Sequence, residues 1–376
     1  MALEKRYNFR IYPTVEQERQ IQKTFGCCRF VYNYYLNKRI EHYESNHSIY
    51  SFYECCLDMT QIKGQEEYAW LKEVDLNALQ SSLKDLDEAY KGFFRRMKQG
   101  GAPGFPIYKS KHENRRAYRS KNNKNSNNLA IVGDKIKLTK LGYVDCRVSR
   151  QIEGRILSAT ITQARSGKYY VSVCCTDVEP QKLPKTGRSV GLHLGLKEFV
   201  VSSDGECYEN HKYLDKSLRK IKRLQRLLSR KSKGSKRQEK ARIKLAKAHE
   251  KVANQRKDTL NKLTTNLVRE YDAIYVKEVP VQEMTRDKRF AQPMGDASWG
   301  TFVRQLEYKC RWYGKDLRLV NKAFPSAQLC SSCGYRNVEV KKLHKRVWVC
   351  PVCGTHHIRG VNAAVNVLKE GQKQAA

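Results

Sequence analysis

The chain has 376 residues, enough for two or three domains with hydrophobic cores of their own. It carries 73 Lys and Arg against 38 Asp and Glu, a net charge of +35, and this surplus predicts a polyanionic partner. Nucleic acid is favoured over a membrane, because the sequence has no run of about 18 apolar residues and no apolar leader after Met1. The 13 cysteines include adjacent pairs such as Cys27-Cys28, which favour a reducing cytoplasm over a set of disulfides.

The first part of the chain predicts one strand followed by helices. Residues 5–12 alternate apolar and polar side chains, as a short strand does, and the strand ends at Pro13. Thr14 and Gln17 form a capping-box pattern that predicts the start of a helix. A second helical block spans about residues 71–97, where apolar residues recur at helical spacing.

Basic residues follow this second helical block. The block ends in Arg95 and Arg96, and a basic loop over 105–119 has Lys109 and Lys111 near its centre. We expect these four side chains to contact a phosphate backbone. A solvated loop without a ligand is the alternative.

The pattern turns to strands between residues 129 and 177. Turn residues separate the apolar runs, which predicts a small β-barrel with the helices of 14–98 inserted after its first strand. A linker at 180–187 then leads to a β-hairpin over 189–205 with a turn at Asp204-Gly205. Within its first strand, His193 is a polar residue between two glycines, a place that usually faces a site.

The most basic segment is helical and lies between residues 212 and 257. It contains 19 Lys and Arg against three acids, so few of its charges can be neutralised inside the helices. A break at Gly234-Ser235 separates two helices, and we predict that their basic face binds nucleic acid, a solvated face being the alternative. The predicted binding residues are Arg219, Lys220, Lys222, Arg223, Arg226, Arg230, Lys231, Arg237 and Arg242. A buried strand over 273–279, a helix from about Ser298 with Asp296 as its cap, and a strand over 317–320 follow.

The most specific pattern is a pair of Cys-x2-Cys motifs, formed by Cys330, Cys333, Cys350 and Cys353. Four thiolates complete the tetrahedral coordination of Zn²⁺ and leave no position open for water, so the predicted zinc is structural. It would stabilise a ribbon too small to hold a core of its own. Four unconnected cysteines are the alternative. The nearby His344, His356 and His357 are not needed as ligands.

These segments resemble the TnpB family, transposon-encoded RNA-guided nucleases related to the type V CRISPR effectors. The matching stretches are FRIYPTVEQERQIQKTFGCCRFVYNYYL, LDEAYKGFFRR, IEGRILSATITQARSGKYYVSV, VGLHLGLKEFVVSSDGE, DASWGTFVRQLEYKCRWYGKDLRLVNKAFPSAQLCSSCG and CPVCGTHHIRGVNAAVNVL. The resemblance implies an α+β multidomain fold, in which a wedge-type β-barrel with an inserted helical recognition lobe precedes a RuvC-like (RNase H-like) α/β domain interrupted by a zinc ribbon. The implied ranges are 1–13 and 121–180 for the barrel, 14–120 for the lobe, 181–376 for the RuvC-like domain, 211–260 for its basic helices and 326–356 for the ribbon.

The resemblance also implies three metal-binding acids, and this sequence lacks them. The first acid aligns with His193 and the second, through the alignment of Val281 and Met284, with Lys277. The third lies in a run that reads His357-Ile358-Arg359-Gly360 here, so that Ile358 and Gly360 replace both aspartates of that run.

Without these acids the site should not gather magnesium. Mg²⁺ needs several anionic oxygens and gives up its waters reluctantly, whereas Lys277 adds a positive charge, so no catalytic Mg²⁺ is expected. Glu278 is a neighbouring acid, but adjacent strand residues face opposite sides of a sheet.

We therefore predict a nuclease-dead, RNA-guided DNA-binding protein that represses transcription by occupying its target. Its partners would be a guide RNA and double-stranded DNA beside a short flanking motif, for which Tyr53, Asn77 and Gln80 are candidate readers. An active RNA-guided endonuclease of a transposon is one alternative, and an unprogrammed nucleic-acid-binding protein or a decaying relic is another. The expected location is the bacterial cytoplasm, at the nucleoid, and both monomer and dimer remain open.

Overall fold

The computed structural model describes residues 3–102, 104–111, 116–123, 127–279, 295–341 and 344–374. Val281 and Met284, which anchor the alignment of Lys277, and residues 112–115 of the basic loop lie outside these ranges. The chain divides into two compact units, Met1–Glu179 and Pro180–Ala376. The assignment of these units to a barrel with a recognition lobe and to a RuvC-like domain stays a prediction.

An antiparallel sheet forms the centre of the first unit. In the described part of the chain its strands lie in the order β2-β6-β7-β1-β5-β4-β3. The strands are β1 (Leu3–Tyr12), β2 (Arg116–Lys121), β3 (Ala130–Val132), β4 (Lys135–Leu138), β5 (Gly142–Arg147), β6 (Arg155–Gln163) and β7 (Tyr169–Val178). The expected β-barrel is confirmed in part: the sheet forms a half-barrel, in which no described ladder joins β2 to β3. The helical lobe was expected to extend over residues 14–120, but residues 116–120 belong to strand β2, because they pair with β6.

Strand β1 lies inside this sheet because its sequence alternates. Tyr7, Phe9 and Ile11 are at most 2% exposed, while the residues between them point to the other face. The strand pairs with β7 on one side and β5 on the other, and this fixes its register.

The helices of the first unit are α1 (Val15–Asn46), α2 (Phe52–Ile62) and α3 (Leu76–Lys98), with a 3-10 helix at Glu66–Glu73 before α3. The predicted capping box is confirmed: the Gln17 amide donates to Thr14 Oγ1 at 3.3 Å, and the Thr14 amide donates to Gln17 Oε1 at 3.0 Å. The single helical block expected over 71–97 is two elements, because the Asp75 carboxylate accepts from the Asn77 amide at 3.0 Å and begins a new helix there.

The second unit contains a mixed sheet. Its strands in the described ranges lie in the order β10-β9-β8-β11-β12, antiparallel from β10 to β8 and parallel from β8 to β12. They are β8 (Ser189–Leu194), β9 (Glu198–Ser202), β10 (Cys207–Glu209), β11 (Ala273–Lys277) and β12 (Asp316–Val320). The predicted turn of the first hairpin is wrong: Gly195–Lys197 joins β8 to β9, because the Gly195 amide bonds the Phe199 carbonyl at 3.2 Å. Asp204-Gly205 instead joins β9 to β10.

Four further helices are α4 (Tyr213–Ser229), α5 (Lys236–Glu270), α6 (Trp299–Tyr313) and α7 (Arg359–Lys373). The expected cap of α6 is wrong, because Asp296 accepts from the Leu214 and Asp215 amides at 3.1 and 3.3 Å and so caps α4. Helix α4 has no cap of its own, since the side chain of Lys212 offers no acceptor. Arg256 of α5 pairs with the same carboxylate at 2.6 Å.

Helix α7 packs closely on strand β8. A Cβ at Gly191 would lie 2.2 Å from the Ala364 carbonyl oxygen, so glycine is required at this contact. Ala363 and Ala364 are fully buried. The contact places the first turn of α7 above β8 and β9. None of the helices in the described ranges is long and apolar enough to cross a membrane.

Candidate metal centre and nucleic-acid-binding surface

The four predicted cysteine ligands come together in the second unit. Their Sγ atoms all lie within 4.8 Å of one another, and the Cys330–Cys353 and Cys333–Cys350 pairs are 3.6 Å apart. Zinc–sulfur bonds of about 2.3 Å in a tetrahedron put neighbouring sulfurs roughly 3.8 Å apart. The sulfur positions and the soft donor set therefore fit one tetrahedral metal ion.

Two matching turns present these thiols. In the first, the Cys330 amide donates to the Tyr335 carbonyl at 2.8 Å, and the Gly334 amide donates back to the Cys330 carbonyl at 2.9 Å. The second turn repeats both bonds at 2.9 Å with Cys350, Thr355 and Gly354. Both glycines have a positive φ, +80° and +67°, which explains why glycine follows the second cysteine of each motif. The short strands β13 (Val347–Val349) and β14 (His356–Ile358) lie beside the second turn.

Side chains beside the cysteines support their thiolate form. His357 is buried against Trp348, with ring centroids 4.7 Å apart, and its Nε2 lies 3.0 Å from Cys330 Sγ. His357 is therefore not one of the four predicted ligands, but its ring can orient the Cys330 thiolate by a hydrogen bond. Thr355 Oγ1 lies 3.2 Å from Cys353 Sγ, and its hydrogen bond lowers the pKa of the Cys353 thiol to about 6.

Two asparagines of α7 fasten the first cysteine turn to the helix. Asn362 accepts from the Ser331 amide at 2.9 Å and donates to the Leu329 carbonyl at 2.7 Å. Asn366 donates to the Leu329 carbonyl at 2.7 Å and to the Ser326 carbonyl at 2.9 Å. Because α7 packs on β8, these bonds connect the cysteine cluster to the sheet.

The residues aligned with the family's acids lie at one end of that sheet. His193 on β8 pairs with Val201 on β9, and a Cβ at Gly360 in the first turn of α7 would lie 3.1 Å from the Val201 side chain. Lys277 ends β11, one residue after Val276, which pairs with the β8 residue before His193. Ile358, at the N-cap of α7, is 62% exposed.

The charges around His193 are positive. Burial, Arg359, Lys277 and Arg346 lower the pKa of His193 to about 4, so its ring is neutral at pH 7. Burial also lowers the pKa of Lys277. The sequence alone did not identify Arg346 as a site residue, and Arg359 stood out only as a member of the run 357–360, without a role. The ribbon that brings both residues here is a long-range feature.

The neighbouring acid Glu278 lies outside β11. Its amide donates to the Val320 carbonyl at 2.9 Å, and the residue is exposed. It follows Lys277, whose side chain is half-buried. Glu278 is not among the charges that shift the pKa of His193.

The basic helices are α4 and α5, and the break between them falls at the predicted place. Gly234 has a φ of +82° and Ser235 caps α5. Ile221 is the buried residue of α4. Arg242 is half-buried and pairs with Glu239 at 2.5 Å. The other predicted contact residues of these helices are exposed, namely Arg219, Lys220, Lys222, Arg223, Arg226, Arg230, Lys231 and Arg237.

The phosphate-contacting residues predicted in the first unit lie at the end of α3 and in the loop that follows it. Arg95 is exposed at the end of α3, and Arg96 donates to the Gly104 carbonyl at 2.7 Å. Asn33 holds Lys109 by both of its backbone groups, at 2.8 and 3.0 Å, so this part of the loop is anchored rather than free. Lys111 is exposed two residues further on.

A cavity of about 540 Å³ lies beside this loop. Apolar and uncharged residues form part of its lining, and its charged lining residues are Arg6, Arg29, Lys109, Lys111, Arg116, Arg119, Asp85 and Glu88. The three candidate motif readers are not among its lining residues. Tyr53 is 78% exposed on α2, while Asn77 and Gln80 are half-buried near the start of α3, and their role stays a prediction.

Three family models match the chain. One described as "Probable transposase", of the IS605 OrfB type, matches residues 172–288. A "Helix-turn-helix domain" of the same type matches 1–48, although these residues form β1 and the single long helix α1. A "Cas12f1-like, TNB domain" matches 299–367, which includes the four cysteines.

The chain is also similar to named proteins over nearly its whole length. It is 33% identical to a "Putative RNA-guided DNA endonuclease" of Streptomyces pristinaespiralis, across 100% of this chain and 91% of that protein. It is 31% identical to the "Putative RNA-guided DNA endonuclease InsQ" of Escherichia coli K12, across 97% and 92%. Among solved structures, a Cas12f1 chain in complex with guide RNA and target DNA matches with a TM-score of 0.57 and 12% identity, across 97% of this chain and 98% of that one. This last likeness concerns the fold alone.

Proposed function

The chain belongs to the TnpB family of IS605-type transposon proteins, and from this premise we propose that it binds a guide RNA and a matching DNA duplex without cutting the DNA. Guide pairing would read the target sequence, while the protein would read duplex shape and a short flanking motif. A bound complex that leaves its target intact would block a polymerase, so the proposed role is transcriptional repression. It would act at the nucleoid, in the bacterial cytoplasm.

The observation that carries this proposal is the composition of the site around His193. A nuclease with two Mg²⁺ ions needs carboxylates that converge on the metals. The corresponding positions offer an imidazole at His193, an ammonium at Lys277 and no side chain at Gly360. These groups supply no anionic oxygen, and Lys277 would repel a cation. The parallel pairing of β8 with β11 and the packing of Gly360 against Val201 of β9 bring these aligned positions to one end of the mixed sheet, which supports the proposal.

Nucleic acid would be held by the exposed basic residues of α4 and α5 and of the first unit. Arg and Lys side chains on such surfaces contact phosphates and set the orientation of the duplex. The cysteine cluster would hold Zn²⁺ through Cys330, Cys333, Cys350 and Cys353. A zinc ion there would complete a closed tetrahedral centre, and His357 and Thr355 would stabilise the thiolates that bind it.

An active endonuclease is the second candidate, favoured by the printed names of the relatives. It would need carboxylates from other parts of the chain to replace the three missing acids. Glu278 is the nearest acid in sequence, but it is exposed and lies beyond the end of β11. One carboxylate would also leave a metal pair with too little negative charge.

Target occupancy with a matched and a scrambled guide tests the proposal. The chain, purified with its RNA, should bind a matched duplex stably, and the same preparation with a scrambled guide should leave that duplex free. In cells, a reporter whose promoter carries the target should be repressed only with the matched guide. Equal occupancy with both guides would contradict the proposal and identify an unprogrammed nucleic-acid-binding protein.

A further inference from the structure

We infer that His193, Lys277, Arg346 and Arg359, here called the cationic cluster, form a binding site for a backbone phosphate of a nucleic-acid strand. The inference deepens the proposed function, because it rests on that function for the source of the strand. It assigns the site an anion where the family resemblance implies metal ions.

The cationic cluster is assembled from four separate elements of the second unit. His193 lies on β8 and Lys277 at the end of β11, whose strands pair in parallel. Arg359 begins α7, and its amide donates to the Arg346 carbonyl at 2.8 Å, which joins the segment before β13 to the helix. Gly360, the residue after Arg359, packs against Val201, which pairs with His193 across β8 and β9, and the charges of Lys277, Arg346 and Arg359 act on the His193 ring. The four residues therefore lie at one site, although His193 and Arg359 are far apart in the sequence.

The like charges of Lys277 and Arg346 at this place favour an anionic ligand. Lys277 and Arg359 are half-buried, and burial lowers the pKa of each, with Arg346 adding to the effect on Arg359. Neither Lys277 nor Arg346 forms an ion pair within the described ranges. Partly desolvated cations that repel one another are stabilised when a negatively charged ligand enters between them.

Two features of α7 favour an anion at the same place. The N-cap residue, Ile358, has no side-chain acceptor, and the first turn of the helix contains no acid, so its amides are not capped by a side chain. Gly360 lets this helix start pack closely on β9, because a Cβ there would lie 3.1 Å from the Val201 side chain, and Val201 pairs with His193. A phosphate could thus receive hydrogen bonds from the helix start and from arginine together. The neutral His193 ring can donate one more hydrogen bond.

Single-phosphate neutralisation tests this inference directly. DNA strands would each carry one neutral methylphosphonate, and the substituted position would move along the strand. For the wild-type chain, we expect affinity to fall by about 3–10-fold at one or two adjacent positions, because the neutral group removes one charge-assisted contact among many. The double variant Lys277→Met with Arg346→Gln should lose this position-specific effect. A matched control, Lys197→Met with Arg311→Gln, removes the same charge from exposed sites and should keep it.

A second measurement separates a binding role from a structural one. Without DNA, the double variant should melt at the same temperature as the wild type or higher, because it removes mutual repulsion. A position-specific loss that survives in the double variant would overturn the inference, as would a scan in which every position is equivalent. Failure of the proposed function would look different: the guided complex would not discriminate matched from scrambled targets. The same scan on single-stranded DNA, with the full chain and no guide, would still test the phosphate site.

Discussion

The cysteine cluster and the cationic cluster lie at the same end of α7, and they differ in what they offer a metal. The cysteine cluster brings four soft donors within 4.8 Å and supports them with His357, Thr355 and Asn362. The cationic cluster brings together a neutral imidazole and three cations, with no side chain at Gly360. The first region has four soft ligands that suit a structural metal, whereas His193, Lys277 and Gly360 of the second supply none of the carboxylate oxygens that a catalytic metal requires.

This difference indicates that the contacts that position α7 do not depend on which side chains occupy the positions of the family's acids. The contacts that position α7 are complete: Ala364 packs against Gly191, and Asn362 and Asn366 fasten the cysteine turn. A ribbon this small is expected to need a metal to stay folded. The sheet end near His193 is formed by the pairing of β8 with β9 and β11 and by the packing of α7 on β8.

Removal of one cysteine ligand should produce the largest effect. The chain should purify with one zinc per molecule, and Cys330→Ser should lose that zinc and unfold the ribbon, which lowers the melting temperature and weakens DNA binding more than tenfold. Elemental analysis and thermal unfolding measure this. The control is Cys207→Ser, because Cys207 is exposed and lies outside the cluster. Unchanged zinc content in Cys330→Ser would show that the cysteine cluster is not the zinc site.

Neutralisation of the basic helices should have the next largest effect. Replacing Arg219, Lys222, Arg226 and Arg230 with Gln should weaken DNA binding at physiological salt by about 10–100-fold and reduce the salt slope by about 0.9 for each lost phosphate contact. Binding titrations over a range of salt concentrations give both quantities. The matched control neutralises four exposed charges elsewhere in the second unit, at Lys185, Lys197, Arg311 and Lys373. Equal effects from the two sets would mean that only total charge matters.

Removal of an asparagine side chain in α7 should lower the free energy of unfolding without changing the net charge. Asn362 is 2% exposed and makes two hydrogen bonds to the first cysteine turn. Asn362→Ala should destabilise the folded chain by about 1–3 kcal/mol, since the Ser331 amide and the Leu329 carbonyl each lose a bond to this side chain. Denaturant unfolding measures the change, and Asn254→Ala on the exposed face of α5 is the control. A neutral Asn362→Ala would show that packing of α7 alone positions the ribbon.

Acidic pH should lower the stability of the folded chain, because His193 becomes protonated more readily in the unfolded chain. Its pKa is about 4 in the folded chain and 6.5 in the reference state, so the unfolded chain binds more protons between these values. Stability should therefore fall as pH drops from 6.5 to 4, by about 1–2 kcal/mol after allowance for partial exposure. His193→Gln should remove this contribution, whereas His249→Gln at an exposed position should keep it. Identical pH profiles for wild type and His193→Gln would contradict the charge environment described here.

Local patterns predicted the elements of this protein better than their connections. The capping box of α1 and the strands between residues 129 and 177 follow from short-range signals, and the Cys-x2-Cys spacing predicted the cluster of four thiols. The turn at 195–197 was missed because Asp204-Gly205 is the stronger local turn signal. Asp296 was assigned to the wrong helix, because a carboxylate can cap a distant helix as well as the next one.

The cationic cluster shows the same limit. The sequence and its resemblance named His193, Lys277 and Gly360, since each aligns with a family position. Arg346 and Arg359 reach His193 only after β13, β14 and α7 have folded, so no spacing along the chain predicts them. Side chains that share a site through tertiary contacts alone need the structure to be found.

Cleavage by the guide-loaded chain tests the central claim most directly. Supercoiled target DNA would be incubated with the purified complex, its own RNA and Mg²⁺, with and without a chelator, while a parallel binding assay shows that the target is occupied. We predict full occupancy and DNA that stays supercoiled, because the described residues bring no group of carboxylates together at His193, Lys277 and Gly360. Nicked or linear DNA that depends on the matched guide and disappears with the chelator would contradict this account.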